Sequence, residues 1–239
     1  MRLTFTRADK NFIIDNATND QAAKLKVVFD KLYIQTRQVD VVPSVYNAHV
    51  QALKTQNFLF HINREVTLTK TLAVGLTNDT WSSIFPTSQL PKVVVMTMVR
   101  SEAFTGHGFH DPFNFRHFDV KSVKLSINSA GNPIDNAYEP TWTNNGFMRE
   151  YHTLNSIGGQ SNMCGITLNA YTKGRFFIVW NLCPDKLIDG AAEVVRPGTV
   201  GLALEFTNPL TFGINVIVYG IFDNTIEITH DKDVIRNWV

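Results

Sequence analysis

The chain has almost no cysteine: Cys164 and Cys183 are the only two among 239 residues. Two thiols cannot staple a small scaffold, so a buried core has to hold the fold, and a chain of this length can bury one without crosslinks. Both cysteines sit among apolar neighbours and are expected as buried free thiols. No apolar run approaches the ~18 residues of a membrane-crossing helix. The segment Met1–Lys10 alternates like a strand instead of forming a basic and then apolar leader. A soluble intracellular protein is the expectation, in which the triplets Asn16-Ala17-Thr18 and Asn78-Asp79-Thr80 carry no glycan. Charge is scarce too: charged residues make up 18%, the formal net charge is +1, and no segment concentrates Lys or Arg. That composition gives no electrostatic footprint for nucleic acid. Linker tracts, low-complexity segments and internal repeats are absent, and residues 1–239 are read as one domain.

What the chain has in quantity is apolar residues, 44% of the total, including 17 Phe. Arg2–Thr6 and Asn11–Ile14 read as short extended pieces. In Lys24–Gln38, Leu25, Val27 and Phe29 alternate with polar positions, and the parity then flips to Leu32 and Ile34, as a bulged strand would produce. Pro43–Leu53 has helical spacing (Val45, Ala48, His49, Ala52, Leu53) with Pro43 suited to the first turn, and His49 is read as packed. From Phe58 to Leu76 the even positions Phe58, Phe60, Ile62, Val66, Leu68, Leu72, Val74 and Leu76 are apolar. One strand of that length would span roughly 60 Å, so two strands turning near Asn63–Glu65 or Thr69–Thr71, or one bent strand, are expected. Trp81–Phe85 is read as a connection. Further strands are expected at Lys92–Val99, Val120–Ile127, Arg175–Leu182, Thr199–Thr207 and Ile214–Phe222, the last a central strand continued by Ile226 and Ile228. Within Thr199–Thr207, Val200, Leu202, Leu204 and Phe206 should face the core. Asn145–Ser156 is a second short helix capped by Asn144 or Asn145, and Gly158–Ser161 a loop. Eight or nine strands, two short helices and no βα alternation predict an all-β antiparallel sandwich or barrel.

The chain is organised around Gln89–Phe118, where a buried strand leads into a loop carrying Phe104, Phe109, Phe113, Phe115 and Phe118. Five rings are more than one loop can fold against its own sheet, so at least one should face a neighbouring subunit. Phe109, between Gly108 and the polar His110-Asp111, is the first candidate intersubunit contact, with Phe104 and Phe118 beside it. Phe113 and Phe115 should instead pin the loop to its own domain. His107, His110 and His117, with Glu102 and Asp111, are the one cluster resembling metal ligands. A cupin-type site needs two close histidines, a following glutamate and a later histidine; that spacing is missing, and no metal or other cofactor is expected. Gly106-His107-Gly108 lacks the Lys and Ser/Thr of a phosphate loop, and no serine stands in a nucleophile elbow. No catalytic residue is assigned, and an enzyme is not expected.

Several blocks resemble one family. Gln89-Leu90-Pro91-Lys92 with its Val-rich strand, Ala103-Phe104, Asp111-Pro112-Phe113-Asn114-Phe115 and His117-Phe118 form the first. Arg149-Glu150-Tyr151-His152-Thr153-Leu154, the strand Gly201–Phe206, and Asn215–Tyr219 leading to Phe222–Ile228 follow in order. Together they resemble the hexon-like major capsid proteins of adintoviruses and of Polinton (Maverick) elements, over roughly Phe58 to the C-terminus. The resemblance implies a jelly roll of about eight strands, here the second of the family's tandem pair, with nothing upstream of it. It also implies a structural capsid tile located in the virion and made in the host cytoplasm or nucleus. Such a tile self-associates into trimeric or pseudo-hexameric capsomers, with a second jelly-roll chain or domain as a further partner, and binds neither membrane nor specific nucleic acid. The alternative is a jelly roll that binds a ligand or glycan, as a receptor-binding or lectin-like module does.

Overall fold

Strands with one apolar face need a second layer to bury it, and this chain builds two sheets to do so. The structure, a computed structural model, describes all residues except 1–3, 7, 14–23, 25, 27, 129–131, 134–136, 157–163, 184–194, 232 and 237–239. Its strands are β1 (Phe58–Leu72), β2 (Asn78–Trp81), β3 (Val93–Arg100), β4 (Val120–Ile127), β5 (Asn132–Pro133), β6 (Ile178–Asn181), β7 (Val200–Phe206), β8 (Ile214–Ile228) and β9 (Val234–Arg236). Five helices are described: α1 (Lys10–Ile13), α2 (Pro43–Thr55), α3 (Ser101–Thr105), α4 (Met148–Ser156) and α5 (Leu168–Lys173).

One sheet has the order β1-β8-β3-β6, with β9 also on β8; the other has the order β2-β7-β4-β5. The pairs β1·β8, β2·β7, β3·β6 and β4·β5 are the rungs of one long ribbon folded at β4–β5, and β3·β8 and β4·β7 are the contacts made when that ribbon winds on itself. This is a jelly roll, and the all-β antiparallel expectation holds. The pairings with a defined register, β2·β7, β3·β6, β3·β8, β4·β5, β4·β7 and β8·β9, are all antiparallel.

The chain divides into a larger unit, Met1–Lys26 with Glu65–Phe222, and a smaller one, Val27–Arg64 with Asp223–Val239. The larger unit contains the core. Val200, Leu202, Leu204 and Phe206 of β7 are all buried, while Glu205 between them is exposed, as alternation in Thr199–Thr207 requires. Opposite them stand Val123 and Leu125 of β4, and Val94, Met96, Met98, Ile214, Val216 and Val218 supply the other sheet's inner face. Burying each such side chain fully is worth about 1.5–3 kcal/mol. Thr97, also buried but on the other face of β3, donates its hydroxyl to the Phe176 carbonyl at 2.6 Å, so its polar atom is satisfied.

Several local expectations change. Of the two readings of Phe58–Leu76 the single strand is the one found, over Phe58–Leu72 and without a turn, because its partner β8 is equally long, 15 residues each. Asn78–Trp81 pairs with β7 as β2, so Trp81 ends a strand where a connection is expected, and Asn78–Thr80 form a strand where none is. Asn11–Ile13 is helical, within α1, and Thr4–Thr6 forms no strand. Asn144 and Asn145 have φ of +59° and +57°, so they form a turn in the Thr141–Gly146 bridge instead of capping α4. The missed helix α5 does have a cap: the Thr167 hydroxyl accepts the Ala170 N–H at 3.2 Å, and Gly174 follows its end at φ +144°. Cys183 is buried as expected, whereas Cys164 is exposed and within 3.2 Å of Asn155 Oδ1. Arg2, Leu3, Ile14, Asn16–Thr18, Leu25, Val27 and Gly158–Ser161 lie outside the described residues.

In the smaller unit the expected strand Lys24–Gln38 is absent among the described residues. From Val28 to Val42 the chain has no helix or strand, and every side chain is exposed. Alternation produces a strand only where a sheet edge receives it, and among the described residues this segment lies on none. α2 forms as expected, but no side chain of it is buried. His49 is exposed, with only an edge-on contact to Phe58 at 6.0 Å, so its packed reading is corrected.

Candidate functional site

The focal loop begins where β3 ends. Ser101–Thr105 turns as α3, and Gly106 ends it at φ +101°. A tight turn follows, in which the His110 N–H donates to the His107 carbonyl at 3.1 Å and the two imidazoles stack with centroids 4.8 Å apart. Glu102 Oε2 holds the outer side of this turn, 3.6 Å from His110 Nε2 and 3.1 Å from Arg100. Phe109 stands at the tip. Its N–H donates to His107 Nδ1 at 3.3 Å, while its ring is 58% exposed. Gly108 beneath it is buried.

The next block is tied down by backbone. Asp111 Oδ1 accepts the Phe113 N–H at 2.8 Å. The Phe115 N–H donates to the Gly174 carbonyl, and its own carbonyl accepts the Phe176 N–H. Asn114 packs so closely that a Cβ on Gly174 would lie 2.6 Å from its Oδ1. Phe115 rests edge-on against Phe177 at 5.2 Å, so it pins the loop. Phe113 contacts Phe12 and Phe115 but is 54% exposed, more open than a pinning residue should be.

Residues 117–120 form a type I′ turn: Phe118 and Asp119 both have positive φ, +46° and +51°, and the Val120 N–H donates to the His117 carbonyl at 2.9 Å. Asn-Gly is the usual choice there, and each left-handed residue with a Cβ costs about 1–2 kcal/mol. Side-chain contacts offset that cost. His117 stacks on Trp142 at 3.7 Å, its Nδ1 accepts the Asp119 N–H at 3.0 Å, and Phe118 packs on Phe212 at 5.7 Å. Burial lowers the His117 pKa, with the Asp119 charge opposing and Arg116 reinforcing the shift. A neutral ring suits the stack.

Of the three candidate contacts, Phe109 is therefore exposed, and Phe104 and Phe118 are half-buried. The histidine cluster is divided, since His107 and His110 stack on each other while His117 serves the turn at Trp142. Among the described residues no group of three or more His, Cys, Asp or Glu is placed to hold a metal ion. No described helix is long and apolar enough to cross a membrane.

Clefts open on the described residues of the larger unit. One of about 510 Å³ lies along Tyr151, His152 and Asn155 of α4. Another, of about 330 Å³, lies between Arg116–Asp119 and Asn208–Phe212. Within α4, Glu150 is only 2% exposed, and its Oε2 has no hydrogen-bond partner among the described residues. Burial pushes its pKa up, against the opposing pull of its own backbone N–H and of Arg149. Nothing in the order of residues marks this buried acid, because Glu150 sits where a helix would show a polar face.

No family model matches the chain. A Caenorhabditis elegans protein, uncharacterized protein F54H12.2, is 23% identical over 249 residues, covering 99% of this chain; the chain spans 57% of that relative's length. Among solved structures, a chain of the Sputnik virophage matches with a TM-score of 0.45 and 12% identity, over 76% of this chain and 39% of its own length. The mavirus major capsid protein gives 0.43 and 11%, over 76% and 41%. The PBCV-1 virus capsid gives 0.45 and 9%, over 77% and 52%.

Proposed function

We propose that the chain is a structural capsid protein of a virus or virus-derived element, related to the hexon-like proteins of adintoviruses and Polinton elements. In this reading it is one jelly-roll tile over residues 1–239. It self-associates into trimeric or pseudo-hexameric capsomers, alone or with a second jelly roll, and its place is the virion shell. The observation that carries the reading is that the resembling blocks become the jelly roll's central ribbon. Gln89–Lys92 leads into β3, Gly201–Phe206 is β7, and Asn215–Ile228 is β8. Three of the four inner strands of the two sheet orders, β3, β8 and β7, come from these blocks, and β4 does not. The aromatic loop then supplies a lateral contact, with Phe109 as its anchor and Phe104 and Phe118 as supporting surface. Exposed aromatic anchors of this kind are commonly worth about 2 kcal/mol or more in an interface.

The test compares Phe109→Ser with Phe115→Ser in native mass spectrometry and thermal melts. Phe109→Ser is expected to weaken oligomers while leaving the melting midpoint nearly unchanged, and Phe115→Ser to destabilise the fold. A wild-type chain that stays monomeric at high concentration, and gains no assembly from a second jelly roll, removes the reading's support.

A further inference from the structure

The smaller unit has no apolar core of its own. Among its described residues Asn224 alone is buried. Yet it carries fourteen of the twenty-two large hydrophobic residues exposed in the described chain, among them Val28, Phe29, Leu32, Tyr33 and Ile34 at 53–75% exposure. Two of its features complement each other. The first is the stretch from Val28 to Val41, which has no helix, no strand and, among the described residues, no hydrogen bond. The second is β1, which ends its sheet: among the described residues its one strand neighbour is β8, so among them the outer row of N–H and C=O groups along Phe58–Asn63 is open. An exposed edge strand is a template for another strand, and an apolar segment with strand alternation is what such a template accepts.

We infer that residues 28–42 form an exchange arm, which adds as a β-strand to the β1 edge, at Phe58–Asn63, of a second copy of this chain. The chain itself carries both halves of the contact, so two copies can satisfy each other reciprocally, as isologous and swapped dimers do. Side-chain parity fits. Leu32 and Ile34 fall on one face of an extended arm, and Phe58, Phe60 and Ile62 form an apolar row on one face of the edge. The size fits as well. Eight apolar side chains between Val28 and Val42 are at least half exposed. At roughly 80 Å² each they offer roughly 600–700 Å² per arm, so the two arms by themselves reach the roughly 1,200–2,000 Å² of a stable interface. This surface is separate from the Phe109 loop, and the inference does not depend on the capsid reading.

The experiment uses the full 239-residue chain. Association is measured by light scattering and native mass spectrometry for wild type, an arm variant (Leu32→Asp/Ile34→Asp) and an edge variant (Phe60→Lys). Each variant should weaken association at least about tenfold. Mixing the two should restore a heterodimer, because the edge variant still has a sound arm and the arm variant a sound edge. Amide exchange in wild type should show residues 31–42 becoming protected as protein concentration rises; this readout stands even if a variant misfolds. Association lost in Phe109→Ser but untouched in the arm and edge variants overturns the arm and leaves the capsid reading standing. Concentration-independent protection means that the arm covers its own chain, and failure of the mixture to dimerise means that another partner occupies the edge. Either result overturns the inference.

Discussion

Gly220 offers the sharpest test of how the core is packed. It lies in β8 opposite Val94, and a Cβ built there would come within 2.5 Å of Phe85 Cζ and 2.8 Å of its Cε1, with Phe222 Cε2 at 3.1 Å. Carbon contacts are favourable near 3.5–4.0 Å, so about an ångström has to be found. The Phe85 ring has little room to retreat, being 2% exposed and set edge-on against Phe222 at 5.1 Å. Forcing extra atoms into a packed core costs about 1–3 kcal/mol. Replacing glycine also restricts the unfolded chain, which returns about 0.4–1 kcal/mol. The steric term wins. Gly220→Ala should therefore destabilise by about 1–2 kcal/mol, and the melting midpoint should fall by about 2–8 °C in a chain of this size. A double-mutant cycle with Phe85→Leu, read by denaturant unfolding, isolates the cause. If the ring is what the methyl meets, Gly220→Ala costs at least about 0.5 kcal/mol less in the Phe85→Leu background. An equal penalty in both backgrounds refutes the argument and assigns the loss to the backbone.

Leu204→Ala removes a buried side chain at the middle of β7 and should cost about 2–5 kcal/mol in chemical unfolding. Glu205→Ala, one residue on and exposed, should barely move the midpoint; equal effects would contradict the register. Glu150 predicts a pH dependence of defined sign. Burial makes the fold hold its proton more tightly than the open chain does, so stability is full below the ordinary Glu range and falls as pH rises through that range toward the raised folded value. Glu150→Gln should flatten this slope and raise stability at neutral pH, and an unchanged slope in pH-resolved melts would show that the carboxyl is already solvated. Thr167→Ala should cost about 1 kcal/mol by removing the N-cap of α5, while Thr167→Ser should restore it.

The sequence was most readable where burial is one-sided. In β7 every second residue meets the opposing sheet, so its period of two is a direct print of the core. β8 was recognisable as central because both of its faces are covered. β2 was hidden because Asn78-Asp79-Thr80-Trp81 carries only one large apolar residue; its place depends on backbone pairing with β7, which leaves little trace in side-chain type. The Val28–Val42 segment misled for the opposite reason, since it has a strand's side chains without a strand's neighbour. At the loop, the exposed position of Phe109 and the anchoring of Phe115 followed from their flanking residues. The I′ turn at Phe118-Asp119 did not, because its backbone is held by His117 and Phe212, which are respectively adjacent to it and far along the chain.

The ribbon order has a kinetic consequence. Asn78 pairs with Glu205, and Val93 pairs with both Asn181 and Ile221, so most rungs join residues a hundred or so positions apart. Folds dominated by such distant contacts close slowly. During synthesis, β3 emerges with its Val- and Met-rich inner face bare and waits for β6, and then for β8, before it has neighbours on both sides. Until Ile214–Ile228 has been made, neither β1 nor β3 has its long central partner, so a nascent or truncated chain exposes strands prone to self-pairing. Yield in a cell should accordingly depend on chaperone holding of the growing chain, and shortening it from the C-terminal side past β8 should abolish folding outright where losing a few N-terminal residues would not.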